Sequence, residues 1–456
     1  MTGQEILDLL QEACGYIQRE NRREYQRCMD EAKAAIDAQP EQRALRGEWL
    51  LALSLSCPQD LDRLCAIYRE AKELIGGRSR LLSRDTSMFD YYCAFALCNV
   101  RPGHAEENAQ KLTEAAGLFH SLTGGGLGTD VCCRAQLAHY RGQITEARAL
   151  AIEAFELAGR RGLVALWAAY ILAGVAKHER DGKLWRFSCG YISAVASGAR
   201  EADRACREQA GMLSCMLDLS LGLLHSVPAW VKDGDFGIIP APWGYELVEN
   251  KILRGTTILA LVTWLEYESY SRRPAKALNI ADMIQKVYGL GNVELDAYLD
   301  FFRAGCYFLL GDTARVKETV RRGIETIAPD GLWLIAAEFV PAHYGAALLE
   351  AAEEVNKTGA ARIREIGAGF WHKLEPLREE LLRDAPAGLT KREQEIAALL
   401  IQGMSSSEIA AALCISERTV KGHLTNIYAK YNVSRRTQVA KAMEQAEKIE
   451  LAAWVS

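Results

Sequence analysis

Several signatures are missing from this sequence, and each absence removes a class of function. No stretch approaches the roughly 18 uninterrupted apolar residues of a membrane-spanning helix, so no membrane partner is expected. The opening segment, MTGQEILDLLQEACGYIQRENRREYQRCMDEAKAAID, has no basic start followed by an apolar run and a small-residue cleavage site; it reads as an amphipathic helix rather than a signal peptide. The thirteen cysteines form no CxxC pair and no Cys/His cluster at zinc spacing, so no metal is expected. Cys132 and Cys133 are adjacent, and Cys93 and Cys98 sit in the apolar run YYCAFALCNV; they read as small buried hydrophobes in a reducing cytoplasm. No GxxxxGK[ST] phosphate loop occurs, and GGGLGTD at Gly124 has neither a preceding strand nor a following lysine. GxSxG, HExxH and EF-hand patterns are missing, and the eight histidines stand at no catalytic spacing. The chain reads as a non-enzyme that needs no cofactor.

What is present is a globular composition, with 49% hydrophobic and 25% charged residues in a chain of 456, long enough for more than one domain. The net charge of -5 is unevenly spread. From Leu389 onward there are nine Lys and Arg against seven Asp and Glu, whereas the rest carries 45 against 52. An acidic body with a mildly basic tail points to the tail as the part that meets a polyanion.

From residue 3 to about 380 the pattern is helix after helix, rich in Ala, Leu, Glu and Arg, with Gly and Pro between segments. In RAQLAHYRGQITEARALAIEAFELA, small residues recur at Ala135, Ala138, Ala147, Ala151 and Ala154 around a turn at Gly142-Gln143. FRAGCYFLLGDTARVKETVRRGIETIAP repeats the arrangement with Ala304, Gly311-Asp312, Val316, Val320 and Gly323, and SRRPAKALNIADMI keeps Ala277 and Ala281. Two antiparallel helices pack closely when small residues line their contact, and each hairpin leaves an apolar face for the next to cover. The repeats resemble the tetratricopeptide repeat with a drifting period, so the expected architecture is an irregular α-solenoid of helical hairpins. One segment interrupts it: HSVPAWVKDGDFGIIPAPWGYELV, residues 225–248, holds three prolines, three glycines and two tryptophans, which excludes regular helix through much of it. It reads as a long inter-helix loop, with Trp230, Phe236 and Trp243 as candidate ligand anchors.

Pro386 and Gly388 mark a linker. Thr390 and Glu393 then have the spacing of a capping box, followed by an apolar stripe of Ile396, Leu399 and Leu400 and a stop at Gly403. A second box, Ser405 to Glu408, opens a short helix with Ile409, Ala410 and Leu413 inward. Ser416 caps a third helix, to about Lys430, whose Val420, Leu424, Ile427 and Tyr431 share one face. Two short capped helices a few residues apart make a helix-turn-helix. The third helix keeps Arg418, Lys421, Gly422, Thr425 and Ala429 free, a slim polar face that fits a DNA major groove, while the helix ends can hold phosphates.

On these residues the segment LTKREQEIAALLIQGMSSSEIAAALCISERTVKGHLTNIYAKYNVSRRTQVAKA resembles the LuxR-type DNA-binding domain. The resemblance rests on Leu389-Thr390, Arg392-Glu393, Gly403, Glu408-Ile409-Ala410, Leu413, Ile415-Ser416, Thr419-Val420-Lys421, His423, Asn426-Ile427, Lys430, Val433 and Arg436-Thr437. It implies a four-helix domain in which Lys421, Gly422 and Thr425 face the bases and Thr419, Lys430 and Arg436 contact phosphates, with Ser405 and Arg418 at the same surface. It also implies a dimerisation helix after Ser434 that presents Val439 and Met443. Gly422 and Thr425 depart from members that place longer side chains there, which shifts weight to Lys421 and to DNA shape.

The body is no α/β receiver and does not look like an acyl-homoserine-lactone-binding domain. It resembles the helical-repeat region of large MalT-like regulators without their ATPase. The expected organisation is all-α: a helical-repeat sensor or interaction domain over 1–381, a linker over 382–388 and a DNA-binding domain over 389–456. The expected function is that of a cytoplasmic bacterial transcription regulator, dimeric on double-stranded DNA and communicating with RNA polymerase, whose solenoid receives a small molecule or a protein. The alternative is a protein-interaction scaffold with accessory DNA binding.

Overall fold

The computed structural model describes residues 1–18, 21–57, 60–83, 88, 98–200, 202, 204–221, 227–234, 255–288, 292–340, 342, 344–368, 391–401, 403–413, 415–430, 433 and 435–439. No strand occurs among them. The linker, Thr390 and the candidates Phe236, Trp243 and Met443 lie outside the described residues.

The body opens with α1 (Gly3–Gln18), α2 (Arg22–Asp37), α3 (Arg43–Ser54) and α4 (Leu61–Ile75). It continues through α5 (Ala105–Thr123), α6 (Thr129–Tyr140), α7 (Ile144–Leu157), α8 (Gly162–Glu179), α9 (Gly182–Ala196) and α10 (Arg204–Ser220). After the one-turn α11 (Ala229–Asp233) come α12 (Gly255–Tyr270), α13 (Pro274–Tyr288), α14 (Val293–Leu309) and α15 (Thr313–Ile327). A 3₁₀ turn (Ala328–Asp330), α16 (Trp333–Ala337), α17 (Gly345–Val355) and α18 (Lys357–Gly367) end it. Neighbours pack in sequence, and alternate helices meet as well: α1 with α3, α6 with α8, α8 with α10, α12 with α14.

The hairpins form where the small residues stand. Ala135, Ala147, Ala151, Ala154, Ala277 and Ala304 are fully buried at helix contacts. At the α14–α15 turn Gly311 takes φ +76°, a left-handed conformation that a side chain would strain, and Asp312 then caps α15 through a bond from Arg315 N of 3.1 Å. A methyl group on Gly323 would lie 2.8 Å from the Phe301 ring, so the absence of a side chain there lets α15 lie against α14. α8 is apolar all round because it is covered all round: most of Leu163–Lys177 is buried. Nine of the eleven described cysteines are buried, and no disulfide links any of them.

The helical path closes on itself, a feature that local spacing does not announce. Asp330, 6% exposed, accepts bonds of 2.9 Å from both Gly103 N and Ala105 N at the start of α5. Asn99 donates to Glu294 (3.0 Å) and accepts from Val293 N (2.9 Å). Arg362 of α18 reaches Gly142 O at 2.9 Å, and α6 packs on α16. Inside the closure α6, α8, α10, α12 and α14 face a cavity of about 120 Å³.

In the interrupted segment, α11 supplies one helical turn where only loop was expected. Trp230 is half-buried against the cluster of Cys215, Leu219, Val227, Val231 and Tyr267, so it ties α11 to α10 and α12.

Candidate nucleic-acid interface

The tail has its own core. α19 (Lys391–Ile401), α20 (Ser406–Ala412) and α21 (Glu417–Lys430) enclose Ile396, Ala397, Leu400, Ile409, Ala410, Val420, Leu424 and Ile427, joined by Val439. Burying a side chain of this size contributes about 1.5–3 kcal/mol, which lets three short helices hold together. Gly403 ends α19 at φ +87°, and Met404 N returns to Leu399 O at 3.3 Å.

The caps fix the angle between the helices. Ser405 Oγ accepts from Glu408 N at 3.3 Å, and Ser405 N donates to Glu408 Oε2 at 2.7 Å, closing the reciprocal box. The Ser405 hydroxyl, which donates to Glu408 Oε2 at 2.7 Å, and then the Ser405 N–H hold the Glu408 carboxyl below its ordinary pKa. Ser416 does the same for α21, accepting from Thr419 N at 3.1 Å, with the two hydroxyls 2.7 Å apart. Arg392 braces the outside, donating to Leu413 O at 2.8 Å and pairing with Glu395 at 2.6 Å.

With the apolar side of α21 turned inward, Arg418, Thr419, Lys421, Gly422 and Thr425 are exposed, and so is Ser405. Arg418, Lys421, Gly422 and Thr425 stand at i, i+3, i+4 and i+7, one above another on a single face. Lys421 Nζ lies 2.7 Å from Glu417 Oε1, so the lysine must leave an exposed intrahelical pair before it meets any other acceptor, at a cost of about 0.3–0.5 kcal/mol. Thr425 Oγ1 donates to Lys421 O at 3.0 Å. A methyl group built on Gly422 meets nothing within 4 Å, so packing inside the chain does not require glycine there.

Two sites take different places from those expected. The Arg436 guanidinium donates to Leu400 O at 3.3 Å and to Met404 O, tying the chain after α21 to the C-terminal end of α19. Its first role is to satisfy helix-end carbonyls. Val439 is fully buried in the tail's own core and not presented on the surface. Lys430 ends α21, and its side chain lies outside the described residues. Glu417 and Arg392 were not singled out as functional; the i, i+4 spacing of Glu417 to Lys421 was the legible signal for the first.

Residues 387–443 match a family model described as "Bacterial regulatory proteins, luxR family". The chain is 52% identical over 52 residues to the uncharacterized transcriptional regulatory protein YhcZ of Bacillus subtilis, covering 11% of this chain and 24% of that one. It is 52% identical over 52 residues to the transcriptional regulatory protein LiaR of the same organism, covering 25% of that protein. A third relative, the HTH-type transcriptional regulator MalT of Vibrio cholerae, is 33% identical over 95 residues, which cover 20% of this chain and 10% of that protein. The chain spans a quarter or less of the length of these curated relatives. No solved structure matches it. The C-terminal segment is a helix-turn-helix domain of the luxR family.

Proposed function

We propose that the chain is a transcription regulator whose tail, as a domain over 389–456, reads double-stranded DNA through the exposed face of α21. The observation that carries this is the coincidence of the luxR-family match with a capped helix whose polar face, Arg418 to Thr425, is left free by the tail's core. Lys421 is the principal base-facing side chain, and Thr425 and the open space at Gly422 admit close approach. Thr419, Ser405, Arg418 and Lys430 supply the phosphate contacts that set register. The body, over 1–381, receives a signal and shifts the population of DNA-competent tails. Partners in this reading are a second copy of the chain on a symmetric site and RNA polymerase.

Salt dependence of binding tests it. A tail that neutralises several phosphates loses affinity steeply and log-linearly as salt rises, because counterions are released. A flat salt response would favour the scaffold reading. That second reading draws support from Phe308, Leu309 and Leu310, consecutive apolar residues exposed at the end of α14.

A further inference from the structure

The cavity inside the closed body matches no local motif, and its wall is chemically distinctive. Trp167, Tyr170, Tyr270, Tyr298, Phe302 and Phe339 line it, drawn from α8, α12, α14 and the turn after α16. Their rings meet edge to face: Trp167 on Tyr170 with centroids 5.5 Å apart, Phe302 on Phe339 at 5.3 Å, Tyr270 on Phe302 at 6.4 Å. Each ring carries a quadrupole whose face is negative, so a wall of six rings offers sites attractive to a cation.

Three charged side chains share the wall: Lys177, Glu266 and Glu338. Glu338 is compensated on both oxygens. Lys177 Nζ lies 3.8 Å from Oε1, and the Tyr298 hydroxyl donates to Oε2 at 3.2 Å. Glu266 has no hydrogen bond or ion pair among the described residues, although it lies on the same wall. Burial, and then the Glu338 charge, push its carboxyl up to about 8, with Lys177 pulling the other way. His139, also on the wall, adds no positive charge, because burial holds its imidazole down to about 3. The wall therefore holds one carboxyl more than it has cations to match, among six aromatic side chains.

We propose that this cavity binds a small organic ammonium compound, its cationic nitrogen against Glu266 and the aromatic side chains, and that this is the signal the body receives. The reading of the chain as a signal-responsive regulator underlies the second half of this statement only. The free volume takes a ligand on the order of ten non-hydrogen atoms. Cation–π attraction to the lining rings and a carboxyl that has no hydrogen bond or ion pair among the described residues, and can ionise against a cation, both favour positive charge. An anion would find Lys177, the wall's cation, already paired with Glu338.

The test uses the full-length chain and three matched probes: phenethylammonium, the neutral 2-phenylethanol and the anionic 3-phenylpropionate. Calorimetry and thermal melting are expected to show the amine binding and stabilising, the alcohol binding about tenfold or more weakly, and the acid not binding. Because Glu266 must ionise to pair with the cation, amine binding at neutral pH releases a proton, seen by comparing buffers of different ionisation enthalpy. Glu266→Gln is expected to abolish the amine preference and the proton release together while leaving alcohol binding as it was. Phe302→Leu, which keeps the apolar filling, is expected to narrow the amine-to-alcohol ratio and provides a second check should the first variant misfold. Binding of the acid in place of the amine, equal binding of all three, or binding of none overturns the site. Measuring DNA affinity in the same samples separates the two readings. Amine binding that leaves DNA affinity unchanged overturns the signalling role and keeps the site. Sequence-specific DNA binding with no probe bound keeps the regulator and overturns the site.

Discussion

The body and the tail handle charge in opposite ways. The body buries it: Glu48, Lys177, Glu268, Glu294, Asp300, Arg303 and Asp330 are all nearly inaccessible. Each holds parts of the chain together, as when Glu268, fully buried, receives Lys276 at 2.7 Å and Trp264 Nε1 at 3.2 Å. The tail keeps its charge outside, and only Glu393 is buried among its described charged residues. Buried charge demands matched partners and so enforces one closed arrangement, at the risk of strong destabilisation if a partner is lost. Surface charge costs little to rearrange, which suits a face that must exchange an intramolecular pair for a ligand.

The largest expected break in this contrast comes from the closure. Asp330→Ala leaves the buried Ala105 amide without its acceptor and takes the side-chain acceptor from the Gly103 amide as well. It is expected to cost the body about 1–3 kcal/mol in urea unfolding and to leave the tail's melting unaffected. A similar effect is expected from pH. Burial raises the Glu294 carboxyl from 4.5 to about 8, with Asn99 opposing. The folded chain then holds a proton that the unfolded chain releases, so stability falls as pH rises from about 4.5 toward 8. Glu294→Gln is expected to remove its own share of that slope, about 1.4 kcal/mol per pH unit, and to leave the share of Glu266, whose carboxyl burial also pushes up to about 8; a parallel slope in the variant would contradict the assignment.

The tail's changes are smaller. Lys421→Ala is expected to cost about 1–3 kcal/mol of specific DNA binding and to relax discrimination at one position, with the body's stability untouched. An equal loss on all sequences would make Lys421 a phosphate contact. Ser405→Ala removes the cap of α20 and is expected to lower tail stability by about 1 kcal/mol, read by the thermal transition of the tail. Gly422→Ala is expected to raise tail stability by at most about 1 kcal/mol, since the added methyl group meets open space. If DNA affinity falls at the same time, the glycine is there for close approach.

What was legible in the sequence follows the same division. The spacing of Ser405 to Glu408, of Ser416 to Thr419, and of Val420, Leu424 and Ile427 is local, and local spacing determines caps and faces. Alanines 135, 147 and 151 and the Gly311-Asp312 turn were equally readable, because a helical hairpin is decided within thirty or so residues. The closure was not. Asp330 and Gly103 are 227 positions apart, and no periodicity links them. The cavity depends on that closure, so Lys177, Glu266 and Glu338 passed as ordinary charges on otherwise apolar helices. Arg436 and Val439 mark a subtler gap. The pattern located them in the domain, but burial and bonding decide that one staples α19 and the other fills the core.

The most direct test of the central claim is selection of binding sites from a random double-stranded DNA pool, with the folded full-length chain at fixed near-physiological salt. Enrichment of one symmetric motif, weakened and relaxed at one position of each half-site on Lys421→Ala, is the expected result. A pool that emerges without any motif, from protein shown to be folded, would contradict the claim that the exposed face of α21 reads DNA.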